Sequence, residues 1–207
     1  MEYIHNTEQF QFHNTVVALG KFDGMHKGHQ LIFDELIQYK QLGYQAAVFS
    51  FDRPPLNMLK HKHMRVIYTT NEKIKLLARR GIDIYIEHPF TDEFSHLSPE
   101  DFVIKVLLEK TGMKVLVVGD DCGFGYKRQG NVELLERMSK EYDFKLIVIP
   151  KLELEGEIVS STRIRHLLSE GKVEEANRLM EDPFMICGSV VHGNHMGAEV
   201  LQMPRSE

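Results

Sequence analysis

The sequence predicts an α/β domain built on an open parallel sheet with helices on both faces. Two observations predict it. Five short apolar runs alternate in order with helical patterns, and such alternation builds a parallel sheet through crossover connections. The runs are apolar throughout and do not alternate with polar residues, which is the pattern of strands buried on both faces. The runs are Thr15–Leu19, Ala46–Phe51, Ile82–Ile86, Val115–Val118 and Leu146–Ile149. Val16-Val17, Val115–Val118 and Ile147–Ile149 add the β-branched side chains that favour strands.

The helices follow from periodicity and end signals. The first covers about Gly28 to Tyr39, with Leu31, Ile32, Phe33, Leu36 and Ile37 as its buried face. Thr69 and Glu72 form a capping-box pair that opens the second, and Gly81 closes it. Ser98-Pro99 opens the third, which Gly112 ends. A fourth covers Glu133–Glu141. Ser160-Ser161 precedes a fifth that stops at Gly171, and a short sixth covers Val173–Met180.

A chain of 207 residues amounts to about 1.4 domains of typical size. The composition shifts after Pro183, and Gly188–Val191 reads as a strand start with too little chain behind it for a second core. The expected organisation is therefore one domain over 1–183 and an appendage over 184–207. With 25 Lys and Arg against 30 Asp and Glu, the net charge is −5, which excludes a general nucleic-acid binder with a basic face. No run approaches the ~20 apolar residues of a membrane span, and the N-terminus lacks the basic-then-apolar pattern of a secretory signal. Cys122 and Cys187 are the only cysteines, too few for a disulfide scaffold or a four-thiolate zinc site. Together these features predict a cytoplasmic protein with no nucleic-acid or membrane partner; oligomeric state is not readable from the sequence.

The first segment that carries chemistry is Gly20-Lys21-Phe22-Asp23-Gly24-Met25-His26-Lys27-Gly28-His29. It leaves the first strand, turns on glycines and enters the first helix. Ligands of open α/β sheets bind at the carboxyl ends of strands, and a helix N-terminus offers free N–H groups to phosphate. His26 and His29, three apart, share one face. Two imidazoles there suit hydrogen bonding to phosphate oxygens, with Asp23 orienting one of them or holding a magnesium ion.

His-x-Gly-His after the first strand resembles the signature of the nucleotidylyltransferase superfamily, whose Rossmann-like fold is the parallel sheet expected here. The longer Gly-x-Phe-Asp-Gly-x-His-x-Gly-His resembles the adenylyltransferase module of bacterial FAD synthetases, the bifunctional riboflavin kinase/FMN adenylyltransferases. That resemblance implies catalytic roles for His26, His29 and Asp23, and ATP contacts from Gly20, Phe22, Gly24 and Gly28.

The second segment, Val159-Ser160-Ser161-Thr162-Arg163-Ile164-Arg165, resembles the family's Ile-Ser-Ser-Thr-x-Ile-Arg. Read from chemistry alone, hydroxyls at a helix start cap it or bind an anion, and arginine offers a planar fork to phosphate. The resemblance implies that Ser161, Thr162 and Arg165 hold the ATP phosphates. It departs at Ile158, where the family is often basic.

Gly119-Asp120-Asp121-Cys122-Gly123-Phe124-Gly125-Tyr126-Lys127-Arg128-Gln129-Gly130 misses both the dinucleotide fingerprint and the P-loop. It resembles the family's Val-Gly-(Asp/Glu)-(Asp/Asn)-Phe-x-Phe-Gly-x-x-Arg-x-Gly loop. The resemblance implies Asp121 near the nucleotide and Phe124, Gly125 and Arg128 on the flavin side. Cys122 and Gly123 replace larger residues, which implies a looser flavin pocket. Phe51-Asp52-Arg53-Pro54-Pro55 resembles the family's Phe-x-Pro-x-Pro flap, matching at Phe51 and Pro55. His61-Lys62-His63, His192 and His195 do not make a metal site by spacing. Cys122 follows two acidic residues, which argues against a reactive thiol.

Gly188, Val190, Val191, His192, Gly193 and Gly197 resemble the start of the riboflavin kinase barrel, and the match then fails. The resemblance thus implies ATP and FMN as substrates, Mg²⁺, FAD as product and no kinase activity. Transfer to another phosphate ester, or a catalytically weak flavin- or nucleotide-binding module, are the alternatives.

Overall fold

The computed structural model describes residues 1–52 and 66–188. In chain order these form β1 (Glu2–His5), β2 (Thr15–Leu19), α1 (Lys27–Gln41), β3 (Gln45–Phe51), α2 (Thr70–Arg79), β4 (Ile84–His88), α3 (Asp92–Ser95) and α4 (Pro99–Asp101). The last of these runs straight into a π-helical stretch, Phe102–Leu108. There follow β5 (Met113–Gly119), a 3₁₀ turn (Tyr126–Arg128), α5 (Val132–Glu141), β6 (Lys145–Ile149), the hairpin β7 (Glu153–Leu154) and β8 (Glu157–Ile158), α6 (Ser161–Ser169) and α7 (Val173–Leu179).

Six strands make one sheet in the order β1-β4-β3-β2-β5-β6, and every neighbouring pair is parallel. The order reverses around β2, whose neighbours are β3 and β5, so the crevice beyond the carboxyl end of β2 is the natural ligand position.

Alternate side chains of the sheet feed two cores. Val16, Ala18, Val48 and Val117 face α1, α2 and α6 through Phe33, Leu36, Leu77 and Ile164. Val17, Leu19, Phe49 and Val118 face the π-helical stretch and α5 through Phe102, Leu107, Leu135 and Met138. Each such large side chain, fully buried, contributes about 1.5–3 kcal/mol. The expectation of strands buried on both faces holds for β2 and β4, which are buried throughout. It fails for the edge strand β6, whose apolar residues are half-exposed.

Several boundaries differ from the sequence reading, for identifiable reasons. The third strand expected at Ile82–Ile86 is β4, displaced to Ile84–His88. Ile82 N–H bonds back to Leu77 O, and the Asp83 carboxylate takes the Ala46 N–H and Lys40, so both belong to the turn. Glu87, at the polar end of the strand, is buried with four partners: Tyr3 Oη, Tyr85 Oη, Thr70 Oγ1 and Lys73 Nζ all donate to its carboxylate. Leu31, expected in the buried face of α1, is exposed, and Gln30 is buried in its place beside Arg80. β1, α3 and the β7–β8 hairpin have no counterpart in the sequence reading.

The expected capping box of Thr69 and Glu72 is present, and Gly81, Gly112 and Gly171 all lie at positive φ where their helices were read to stop. The described residues after Pro183 pack on the preceding elements. Phe184 stacks on Tyr68 with ring centres 5.8 Å apart, and Cys187 N–H donates to Glu72 at 2.8 Å. Gly188 is not in a strand. The rest of the expected strand, with His192 and His195, lies outside the described residues, as do Arg53, Pro55, His61 and His63.

Candidate active site

The turn from β2 into α1 is strained and firmly held. Phe22 (φ 47°) and Met25 (φ 43°) both adopt left-handed backbone conformations, which cost non-glycine residues on the order of 1–3 kcal/mol each. Both side chains are buried in the core. The Phe22 ring lies 5.1 Å from Phe33 and, edge-on, 5.1 Å from His29. Burial of these apolar groups offsets the strain and fixes the path of the turn. Gly20 ends the strand, and its N–H donates to Phe49 O.

His26 is the N-cap of α1. Its Nδ1 accepts the His29 N–H at 3.3 Å, so its remaining proton sits on Nε2. The two imidazoles stack, with centres 3.6 Å apart and planes 18° apart. A Cβ at Gly28 would lie 3.1 Å from His26 Nδ1 and 3.2 Å from its Cε1, so glycine leaves the cap ring its place. Burial lowers the His26 pKa to about 4. Burial, then proximity to His26, holds His29 well below the usual range. The pair is therefore uncharged at neutral pH, and His29 Nδ1 is buried without a hydrogen-bond partner among the described residues.

The second segment meets this turn. Ser160 caps α6, its Oγ accepting the Arg163 N–H at 3.3 Å. With the cap supplied by Ser160, the hydroxyls of Ser161 and Thr162 remain at the helix start, beside its free N–H groups. Gly24 of the turn packs against α6: a Cβ there would lie 3.3 Å from Ser161 Oγ and 3.4 Å from Ile164 Cδ1. Arg165 reaches back across 142 residues, its Nε and Nη2 each 3.3 Å from Asp23 Oδ2.

This contact corrects the role read for Asp23. The residue is buried, its Oδ1 accepts the Ile67 N–H at 3.1 Å and its Oδ2 is taken by Arg165. Asp23 orients the arginine and not an imidazole, each of its oxygens already accepting a hydrogen bond. Among the described residues no group of three or more His, Cys, Asp or Glu side chains is placed to hold a metal.

His26, His29, Asp23, Gly24, Gly28, Ser161 and Arg165 thus come together, with Thr162 at the same helix end. The turn also carries Lys21, to which sequence reasoning gave no role. Its Nζ is buried with no hydrogen-bond partner among the described residues. The available signal was a second charged residue, beside Asp23, between the two glycines of the turn.

The residues of the expected flavin side are placed differently. Phe51 ends β3, half-buried amid Phe49, Phe90, Phe94 and Phe102. Phe124 is buried against Phe102; its ring is core, not an open platform. Gly125 (φ 69°) and Arg128 (φ 59°) shape the loop around it. The looseness expected at Gly123 is corrected: a Cβ there would lie 2.8 Å from Arg128 Nε and Nη2, so the guanidinium fills that space. Asp121 is exposed and paired with Lys151 at 3.2 Å. Burial raises the Cys122 thiol pKa to about 12, in keeping with an unreactive cysteine.

Comparison with known proteins gives a consistent picture. A family model described as FAD synthetase matches residues 8–163. A bifunctional riboflavin kinase/FMN adenylyltransferase of Buchnera aphidicola subsp. Schizaphis graminum is 38% identical over 95% of this chain and 64% of its own length. One from Listeria monocytogenes is 34% identical over 96% of this chain and 64% of its own. A Listeria protein named FAD synthetase is 32% identical over 91% of this chain and 77% of its own. The chain thus spans under two thirds of the length of the bifunctional relatives. The crystal structure of a macrolide-efflux protein from Streptococcus pneumoniae superposes with a TM-score of 0.83 at 30% identity, over 95% of this chain and 65% of that one.

Proposed function

The chain belongs to the FAD synthetase family, and from that premise we propose that it is an FMN adenylyltransferase, joining FMN to the AMP portion of ATP to give FAD and pyrophosphate. The observation that carries the reading is the meeting of two uncharged, stacked imidazoles at one helix start with the hydroxyls and arginine of another. Such an arrangement suits the binding of polyphosphate.

In the proposed reaction a phosphate oxygen of FMN attacks the α-phosphorus of ATP in line. One P–O bond forms, and the bond from that phosphorus to the oxygen bridging to the β-phosphate breaks. The electron pair leaves with pyrophosphate. Such chemistry is dominated by positioning and charge stabilisation. His26 Nε2–H and the α1 N-terminus donate to the α-phosphate, where charge accumulates. A neutral donor costs less to keep dry and gains proton affinity when an anion arrives. Ser161, Thr162 and Arg165 hold the departing phosphates, and Asp23 positions Arg165. ATP enters as its magnesium salt, the metal carried on the nucleotide's own phosphates. No protein nucleophile is needed, and the thiol of Cys122 is not one. The transferase chemistry is proposed for 1–183, and no kinase step is proposed.

The test incubates the protein with ATP, Mg²⁺ and FMN and follows FAD by chromatography and pyrophosphate by coupled assay. FAD from the wild type and far slower FAD formation by His29→Ala is the expected result. Binding of both ligands without FAD would overturn the reading in favour of a binding module. Pyrophosphate release only with another phosphate ester would keep the chemistry and discard the flavin.

A further inference from the structure

We infer that Lys21 is an additional phosphate-binding residue of this site, its buried ammonium donating to an oxygen of a substrate phosphate. The inference rests on the site binding ATP and FMN, as proposed above.

The argument is one of unmatched charge. Lys21 Nζ is buried with no hydrogen-bond partner among the described residues. An ammonium carries three donors and is costly to desolvate unpaired. The charges that act on it are Asp23, Arg165 and Lys73. The nearby carboxylates are committed elsewhere. Asp23 holds Arg165 and the Ile67 N–H, and Glu87 holds Lys73 at 3.3 Å together with three hydroxyl donors. Asp23, the carboxylate that acts on Lys21, hydrogen-bonds Arg165 instead, and Lys73 has its own partner in Glu87, so Lys21 is left without a hydrogen-bonded counter-ion among the described residues. Desolvation, with Arg165 and Lys73 as like charges, accordingly lowers its pKa, against the pull of Asp23.

Lys21 stands two residues beyond the carboxyl end of β2, in the turn that leads to His26 and His29. An incoming phosphate oxygen would satisfy it and relieve the local excess of positive charge. The same chemistry is offered by the polyphosphate of ATP and by the phosphate of FMN.

The experiment compares wild type, Lys21→Met and Lys21→Arg by calorimetric titration in two arms: α,β-methylene-ATP, and FMN with riboflavin as its phosphate-free control. The Met variant is expected to weaken one phosphate ligand by about tenfold or more, and the arm that responds identifies the source. Riboflavin affinity stays unchanged, and arginine restores much of the loss. The ligand-free Met variant unfolds at the same temperature as wild type or higher, because it removes an unpaired buried charge. Both phosphate affinities remaining within twofold, an equal loss for riboflavin, or a Met variant that unfolds early or fails to fold would each overturn the inference. A wild type that binds both ligands yet makes no FAD removes the proposed reaction, and the lysine is then judged on the titrations alone.

Discussion

The two halves of the candidate site reach a similar task by opposite means. The β2–α1 turn is buried and backbone-strained, and its histidines are held by stacking and by the helix cap. The start of α6 is an ordinary capped helix end with Thr162 exposed. It is held to the turn by the Asp23–Arg165 pair and by the fit of Gly24 against Ser161. The first half is rigid because its packing over-determines it. The second is positioned through one polar link and the packing of Ser161 and Ile164 against Gly24. Perturbing the first should therefore disturb chemistry and folding together, whereas the second should allow them to be separated.

The largest expected effect is His29→Ala, which removes a donor from the rigid half. FAD formation should fall about 10²–10³-fold, mainly in kcat, in steady-state assays. A change confined to KM would place His29 in uniform binding and blur the contrast.

Acid is next. His26 titrates at about 4 when folded, against about 6.5 in an unfolded chain. Below pH 6.5 the unfolded state takes up the proton first, so the histidine's contribution is intact above 6.5 and is lost as pH falls towards 4. For His26 alone the loss is about 3 kcal/mol, measurable by urea unfolding across that range. His26→Asn, which keeps a cap-competent side chain, should remove this share of the acid-side loss and leave that of His29.

Asp23→Asn follows. It releases Arg165 while leaving the histidines in place. The ATP KM should rise about tenfold, with about 1–3 kcal/mol lost from stability. A double-mutant cycle with Arg165→Lys should show strong coupling. Additivity would mean that the link between the two halves is not what aligns them.

The smallest pair separates cap from ligand contact on α6. Ser160→Ala should cost about 1 kcal/mol of stability with near-normal kinetics. Ser161→Ala should do the reverse, raising the ATP KM with unchanged unfolding.

Much of this was legible in the sequence because the signals were local. The parallel sheet follows from apolar runs alternating with helices, and both segments that build the site were recognised from their residue patterns. The capping box of Thr69 and Glu72 was read directly. What was missed depended on distant partners. Glu87 could be read as strand only by knowing that Tyr3, Thr70, Lys73 and Tyr85 would satisfy it. Asp23 looked like a partner for a histidine because Arg165, its actual partner, lies far along the chain. The β7–β8 hairpin was a local signal overlooked. Glu155 (φ 56°) and Gly156 (φ 77°) form a two-residue turn of the kind favoured by a glycine in its second position.

The pair that spans 142 residues also sets an order in time. Asp23 and the turn around it are made early in synthesis, and the cation that neutralises the carboxylate is made late. Until Arg165 has emerged and folded back, Asp23 has no arginine partner, and closing so long a loop carries an entropic cost that local contacts do not. A polar contact that aligns the site thus forms late. A nascent chain can acquire most of its sheet well before it acquires the arrangement on which activity depends.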